Sequence, residues 1–205
     1  MKVHDHYYTS KPKSPETRHS FIISERGILL RLETARGVFS YKKLDKGTEV
    51  LIRFLRLPRE PARVLDLGSG YGVVALILAK LLPTSRVTAV EVNERAYRCL
   101  VKNCELNGVT NVEPVLGDFF EYETAEPFDA VYSNPPVKLG RKTLIRILTE
   151  EVPRFLKQTG FAQVVFRTNQ GAKYYRELIR EHAALELEGE KIKAGYRVLT
   201  FRRRG

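Results

Sequence analysis

This chain of 205 residues has no tryptophan, one methionine, three glutamines and two cysteines. Cys99 and Cys104 fall five apart on one predicted helix, so they point to different sides. They read as reduced, buried small residues of a cytoplasmic protein, not as a disulfide framework. No apolar run reaches 18 residues without Lys, Arg or Glu, which excludes a membrane-spanning helix. The opening, MKVHDHYYTSKPKSP, lacks the apolar stretch of a signal peptide. Internal repeats and low-complexity tracts are also missing. His4 and His6 make an H-x-H pair with no further ligands nearby, so no metal site is expected. What remains is ordinary globular material, 43% hydrophobic and 29% charged, long enough for one sizeable core.

The net charge of +11 is unevenly spread. Residues 1–60 hold 13 Lys/Arg against 7 Asp/Glu, and residues 189–205 hold 6 against 1. The middle, 61–188, is balanced at 16 against 16. A neutral core with basic flanks points to a polyanionic partner, a nucleic acid. A thermophile-like surface, consistent with the scarcity of Gln, Met and Trp, is the alternative. We expect both flanks to meet where the carboxyl ends of the core strands lie. Lys11, Lys13, Lys42, Lys43 and Lys46 would grip one stretch of phosphates, and Arg202, Arg203 and Arg204 another. Tyr7 and Tyr8, beside basic residues, suit stacking on a base or packing the segment onto the domain.

Residues 1–60 form a small β-rich extension on the substrate side, and 61–205 the main domain. Phe21–Ile23 and Ile28–Leu32 flank Gly27 as a hairpin, and Val38–Tyr41 adds to a small accessory sheet. Thr48 is the expected N-cap of a helix carrying Val50, Leu51, Phe54 and Leu55, ended by Pro58 and Pro61. Strand and helix then alternate. Strands are predicted at Val64–Leu67, Val87–Val90, Val112–Leu116, Phe128–Tyr132 and Phe161–Phe166. Helices are predicted at Gly72–Leu82, from the Asn93 cap to Leu106, over Arg141–Lys157 with a break near Glu150 caused by Pro153, and at Gly171–His182. Leu185–Leu187 and Tyr196–Phe201 close the chain as an antiparallel pair around a polar loop, Glu188–Gly195. This alternation specifies an α/β fold with a doubly wound, seven-stranded, mostly parallel sheet.

The first core strand ends in Asp66 and passes through Gly68, Ser69, Gly70 and Gly72 straight into a helix. Such glycines let the backbone turn tightly and approach a ligand closely. Glu91 closes the next strand, where a carboxylate accepts both hydroxyls of a ribose. Asp118 and Asn134 close the third and fourth. Four polar side chains thus fall on the one rim where ligands of this fold collect. Up to this point a nicotinamide dinucleotide and S-adenosylmethionine fit equally.

Ser133-Asn134-Pro135-Pro136 separates the two. With the glycine loop it resembles the class I S-adenosylmethionine-dependent methyltransferases that modify an exocyclic or amide nitrogen. Residues 37–50, GVFSYKKLDKGTEV, are similar to the segment before the catalytic domain of the small-subunit ribosomal RNA guanine-N2 methyltransferases. The HYYTSKP opening is similar to archaeal relatives of those enzymes. The resemblance implies that Asp66, the glycine loop with Ser69, and Glu91 hold the cofactor, while Tyr71 covers it. It further implies that Asp118 accepts the adenine amine and Phe119 packs on the ring. In this reading the Asn134 side-chain oxygen and the Pro135 carbonyl hold the two hydrogens of an –NH2, and the prolines stiffen that loop. The family has an aromatic where Val137 stands, so Phe39, Tyr41 or Tyr8 is expected to stack on the base instead. Lys138 and Arg141 follow, placed to meet phosphates.

The implied activity is S-adenosylmethionine-dependent N-methylation of RNA, ribosomal in the resemblance, by a monomer or weak dimer. Adenine-N6 methylation of RNA or DNA, methylation of a protein glutamine, and an RNA-binding module without turnover remain open.

Overall fold

The computed structural model describes residues 17–205; the expectations for His4, His6, Tyr7, Tyr8, Lys11 and Lys13 lie outside them. β1 (Arg18–Glu25) and β2 (Ile28–Ala35) form an antiparallel hairpin turning at Arg26-Gly27, and α1 (Lys46–Arg53) follows. Then come β3 (Arg63–Leu67), α2 (Val73–Leu81), β4 (Arg86–Glu91), α3 (Glu94–Leu106), β5 (Val112–Leu116) and β6 (Phe128–Ser133). α4 (Arg141–Arg146) runs through a π turn (Ile147–Glu151) into α5 (Val152–Phe155). β7 (Leu156–Arg167), α6 (Ala172–Glu181), β8 (Leu185–Lys193) and β9 (Tyr196–Arg203) complete the chain. The second sheet has seven strands in the order β5-β4-β3-β6-β7-β9-β8, parallel from β5 to β7, with β9 antiparallel to both its neighbours.

Alternation along the strands fills two cores. Val64, Ala130, Tyr132, Phe161, Val165 and Val198 point to the face covered by α1, α2 and α3. Leu65, Leu67, Val131, Val164, Phe166 and Leu199 point to the face covered by α4, α5 and α6. α2 is apolar on every side from Val73 to Ala79, where it is buried, and becomes polar only at Lys80, where it reaches solvent. Leu65 and Leu76 are fully buried, and truncating either to Ala would cost about 2–5 kcal/mol.

The hairpin is fixed to α3 by two asparagines one helical turn apart. Asn103 accepts from Glu33 N (2.6 Å) and donates to Glu33 O (2.9 Å). Asn107 does the same with Arg31 N (2.9 Å) and O (2.8 Å). Two side-chain amides thus stand in for a neighbouring strand and satisfy an otherwise open edge. On the other side, Gln163 of β7 accepts from Arg56 N and donates to Phe54 O, which pins the end of α1 to the sheet. Leu30, Val50 and Leu51 belong to the same core as Val64 and Ala75, so residues 18–57 and the large sheet fold around a shared interior.

Four local expectations are corrected. Val38–Tyr41 is a run of turns, because Gly37 and Ser40 both take positive φ (89° and 54°) and cannot continue a strand. Asp45, not Thr48, is the N-cap of α1, and its side chain accepts from Thr48 N. The polar stretch after Leu187 is strand as far as Lys193, since β9 pairs with it along its length, leaving only Ala194-Gly195 as the turn. β7 also starts earlier than expected; its first residues pair with Phe128 before the register slips ahead of Phe161. The break foreseen near Glu150 is the π turn, where Pro153 has no N–H to give the preceding turn.

Candidate active site

One cavity of about 320 Å³ opens at the carboxyl ends of the parallel strands. At its centre the chain leaves β3 and turns into α2 through Gly68, Gly70 and Gly72, all at positive φ. A Cβ at Gly72 would lie 2.3 Å from Leu100 Cδ1, so this glycine lets α2 close onto α3. At Gly68 and Gly70 a Cβ would meet no atom within 4 Å, and both residues line the cavity.

The loop is moored to the next strand. Gly68 N and Ser69 N both donate to Val90 O at 3.0 Å. Glu91 accepts from Gly70 N with Oε2 and from Asn93 N with Oε1, each at 2.7 Å. Burial raises its pKa, and the N–H groups of Asn93, Gly70 and Val92 oppose that rise. A carboxylate has about four accepting positions, so Glu91 keeps accepting capacity for a ligand. Asp66 is fully buried and accepts from Ala75 N at 3.0 Å. Desolvation pushes its carboxyl up to about 7, against the pull of the Ala75 N–H and with a push from the charge of Glu91. Farther along the rim, Asp118 Oδ1 accepts from Phe120 N at 2.9 Å, and the buried Phe119 ring lies 4.5 Å from that of Phe120.

Asn134 stands at the other end of the cavity, with Pro135 and Pro136. Its Nδ2 donates to Asp45 Oδ2 (3.0 Å) and to Thr48 Oγ1 (2.9 Å). A carboxylate only accepts, so the amide nitrogen must face Asp45 and the oxygen is left as the free accepting atom. Ser133 Oγ ties the start of this loop to Leu67 O at 2.8 Å.

Asp66, Gly68, Ser69, Gly70, Glu91, Asp118, Phe119, Asn134, Pro135 and Pro136 therefore line one space, together with Phe39. Gly72 lies behind it as a packing residue. Tyr71, expected to cover the cofactor, lines the cavity as well, whereas Tyr41, Lys46, Lys138 and Arg141 stand apart from its wall. The Tyr41 carbonyl accepts from Thr34 Oγ1, and its ring lies under the Lys42 ammonium at 5.6 Å. Lys46 pairs with Glu49 at 2.9 Å beside an adjoining recess. Val137 and Lys138 form the short turn before Gly140, and Arg141 stacks on the Tyr174 ring at 3.9 Å.

The expectation that Arg202, Arg203 and Arg204 reach the active rim is wrong. β9 runs antiparallel to β7, with Tyr196 opposite Arg167 and Phe201 opposite Ala162. Its last residues consequently emerge at the amino ends of the parallel strands. There Arg202 pairs with Glu186 (2.8 Å), Arg203 donates to Leu156 O (3.4 Å), and Arg204 N donates to Ala184 O (2.9 Å).

Sequence reasoning missed Asp45, Thr48, Arg167, Gln170 and Tyr196, all in the cavity wall. Arg167 is exposed and has no ion pair or side-chain hydrogen bond among the described residues. The sequence did hold one signal, the compact Asp45-Lys46-Gly47-Thr48 turn, which read only as a helix entry.

Residues 29–200 match the model of the "Methyltransferase small domain" family. The Bacillus subtilis (strain 168) protein YbxB is 32% identical over 178 residues, covering 86% of this chain and 88% of its own length. Ribosomal RNA small subunit methyltransferase C of Shewanella sp. (strain MR-4) is 34% identical over 169 residues, and this chain spans only 47% of it. Both relatives are bacterial, and the archaeal likeness of the opening finds no support in them. Among solved structures, the T. thermophilus 16S rRNA N2 G1207 methyltransferase (RsmC), in complex with AdoMet and guanosine, superposes with a TM-score of 0.76 at 24% identity. That match covers 94% of this chain and 52% of the other.

Proposed function

The chain belongs to the methyltransferase small domain family, as an enzyme of the methyltransferase class, and from that premise we propose that it methylates RNA at the N2 amine of guanine, with S-adenosylmethionine as cofactor. The observation that carries this reading is the joining of the glycine loop and Asn134 in one cavity, with the amide nitrogen of Asn134 already engaged.

The residues present fit the cofactor. Gly68 and Gly70 offer bare backbone to the cavity, and Ser69 Oγ is buried in the same loop without a hydrogen-bond partner among the described residues. Glu91 has accepting capacity for ribose hydroxyls. Asp118 and Phe119 would take the adenine edge and face. When bound, S-adenosylmethionine supplies an electrophilic methyl group on a sulfonium.

The chain's own work is alignment. Asn134 Oδ1 and the Pro135 carbonyl accept the two hydrogens of the amine and aim its lone pair. Asp45 and Thr48 keep the Asn134 amide from rotating, and Pro135-Pro136 keeps the carbonyl in place. The buried rings of Phe119 and Phe166 give the cavity apolar walls, and dipoles beside such walls are weakened less than in open water. Asn134 thus provides a fixed dipole for the amine, and the reaction needs no strong base from the chain.

An RNA substrate is supported by the names of the relatives and by the uncompensated charge of Arg167 at the rim. That Arg, with Lys46 and Thr168, borders a recess beside the active cavity, which would receive a backbone phosphate. Because this chain spans about half of the RNA-modifying relatives, the RNA they act on is part of the proposal. Incubation with methyl-labelled S-adenosylmethionine and unmodified total RNA, followed by nucleoside analysis, is expected to give labelled N2-methylguanosine. Label in N6-methyladenosine, in protein, or nowhere would overturn the reading.

A further inference from the structure

Asp45 does more than cap a helix. Its Oδ2 accepts from Thr48 N (3.0 Å), from the Asn134 amide (3.0 Å) and from the Thr48 hydroxyl (3.4 Å). Its Oδ1 accepts nothing among the described residues, although Asp45 is part of the cavity wall next to Asn134. The turn is built to hold the carboxylate there. A Cβ at Gly47 would lie 2.9 Å from Asp45 Oδ2 and 3.0 Å from Tyr196 Cε1, so a larger residue here would push the carboxylate or the ring from its place.

A fixed anion beside an amine-holding amide discriminates between bases. In guanine the C2 amine has the N1–H donor as its neighbour. In adenine the C6 amine has the bare N1 lone pair in the corresponding place. A carboxylate accepts from N1–H in a charge-assisted bond and faces the N1 lone pair with repulsion. A glutamine amide offers no second donor at that position.

We propose that Asp45 determines specificity by accepting guanine N1–H through its unengaged oxygen while Asn134 holds the N2 amine. This rests on the reading of Asn134 given above and names the base which that reading selects. It also gives the extension a recognition role, through a residue 89 positions from Asn134.

The test uses two nucleosides with the same C2 amine, guanosine, which has N1–H, and 2-aminopurine riboside, which has a lone pair there. Their binding to the full chain, loaded with the demethylated cofactor product, is measured by calorimetry for wild type and Asp45→Asn. Wild type is expected to prefer guanosine by about 10²-fold or more, as a site built to take an N–H rejects an analogue without it. Asp45→Asn keeps an oxygen for Thr48 and Asn134 but puts an NH2 donor where the unengaged oxygen stood, so its preference for guanosine should vanish or reverse. Cofactor affinity and melting temperature should stay at wild-type values. Equal binding of both nucleosides by wild type, or an undiminished preference in Asp45→Asn, would overturn the proposal. Should the variant not fold, the wild-type ratio alone decides. Wild type that discriminates but labels only adenine or protein would sink the guanine-N2 assignment, whereas one that methylates guanine without discriminating would sink the role of Asp45 alone.

Discussion

The cofactor end of the cavity is assembled from neighbours: Ala75 N donates to Asp66, Gly70 N and Asn93 N donate to Glu91, and Phe120 N donates to Asp118. The acceptor end is assembled from strangers. Asn134 comes from the end of β6, Asp45 and Thr48 from the start of α1, Arg167 from β7 and Tyr196 from β9. Short-range construction makes the first end recognisable as a motif. Long-range construction makes the second dependent on the docking of α1, and able to change specificity by changing one turn.

The largest effect should break the cofactor end through pH. Folded Asp66 keeps its proton up to about pH 7, against an ordinary value of 3.8, because burial disfavours its charge. Stability from this group is therefore fully present below about pH 4 and is lost as pH rises through 7. The loss is on the order of 4 kcal/mol from about three pK units at 1.4 kcal/mol each. Asp66→Asn keeps an acceptor for Ala75 and removes the titration. Urea unfolding of the cofactor-free protein across pH 4–8 should show a visibly flatter slope in the variant. The raised pKa of Glu91 would account for what slope remains.

Asn134→Ala attacks the other end. Turnover should fall by about 10²-fold or more, the loss expected for one preorganised contact to the reacting group. S-adenosylmethionine affinity should hold within about twofold by calorimetry. Turnover within threefold of wild type would mean that the amine is aligned by something else.

Glu91→Ala is the mirror image. Losing charge-assisted bonds, and leaving Gly70 N and Asn93 N without their acceptor, should weaken cofactor binding by about 1–3 kcal/mol. Guanosine binding should be less affected. Equal damage to both ligands would show that the ends are mechanically one.

The smallest effect concerns charge placement. Arg167→Gln should lower the slope of log RNA affinity against log salt by about 0.7–0.9, one phosphate contact. Neutralising Arg202, Arg203 and Arg204 together should leave the slope unchanged, since these residues leave the sheet at the edge away from the cavity and Arg202 is already paired. The reverse result would put the RNA on the other side of the sheet.

Much of this molecule was legible from the chain alone. The alternation of apolar strands with helices, the Asn93 cap, the Pro153 break and the four polar strand ends depend on neighbours within a few residues, where spacing and backbone chemistry suffice. The fate of Val38–Tyr41 was less so. Its residues suit a strand, yet Ser40 takes positive φ, and its Oγ donates to Lys43 O within a turn. Charge counting failed outright for the C-terminal arginines, because a count along the chain does not know that β9 reverses direction.

Periodicity and local turns by themselves determined the strand and helix types, the glycine loop and the rim on which a ligand would gather. Only the tertiary structure decided that Asn103 and Asn107 would complete the edge of β2, and that Asp45 would meet Asn134. Those pairings join segments about 70 to 89 residues apart. They form because burying the apolar faces of the hairpin and α1 in a shared core brings the polar groups within reach, and no spacing along the chain encodes which polar group will be waiting there.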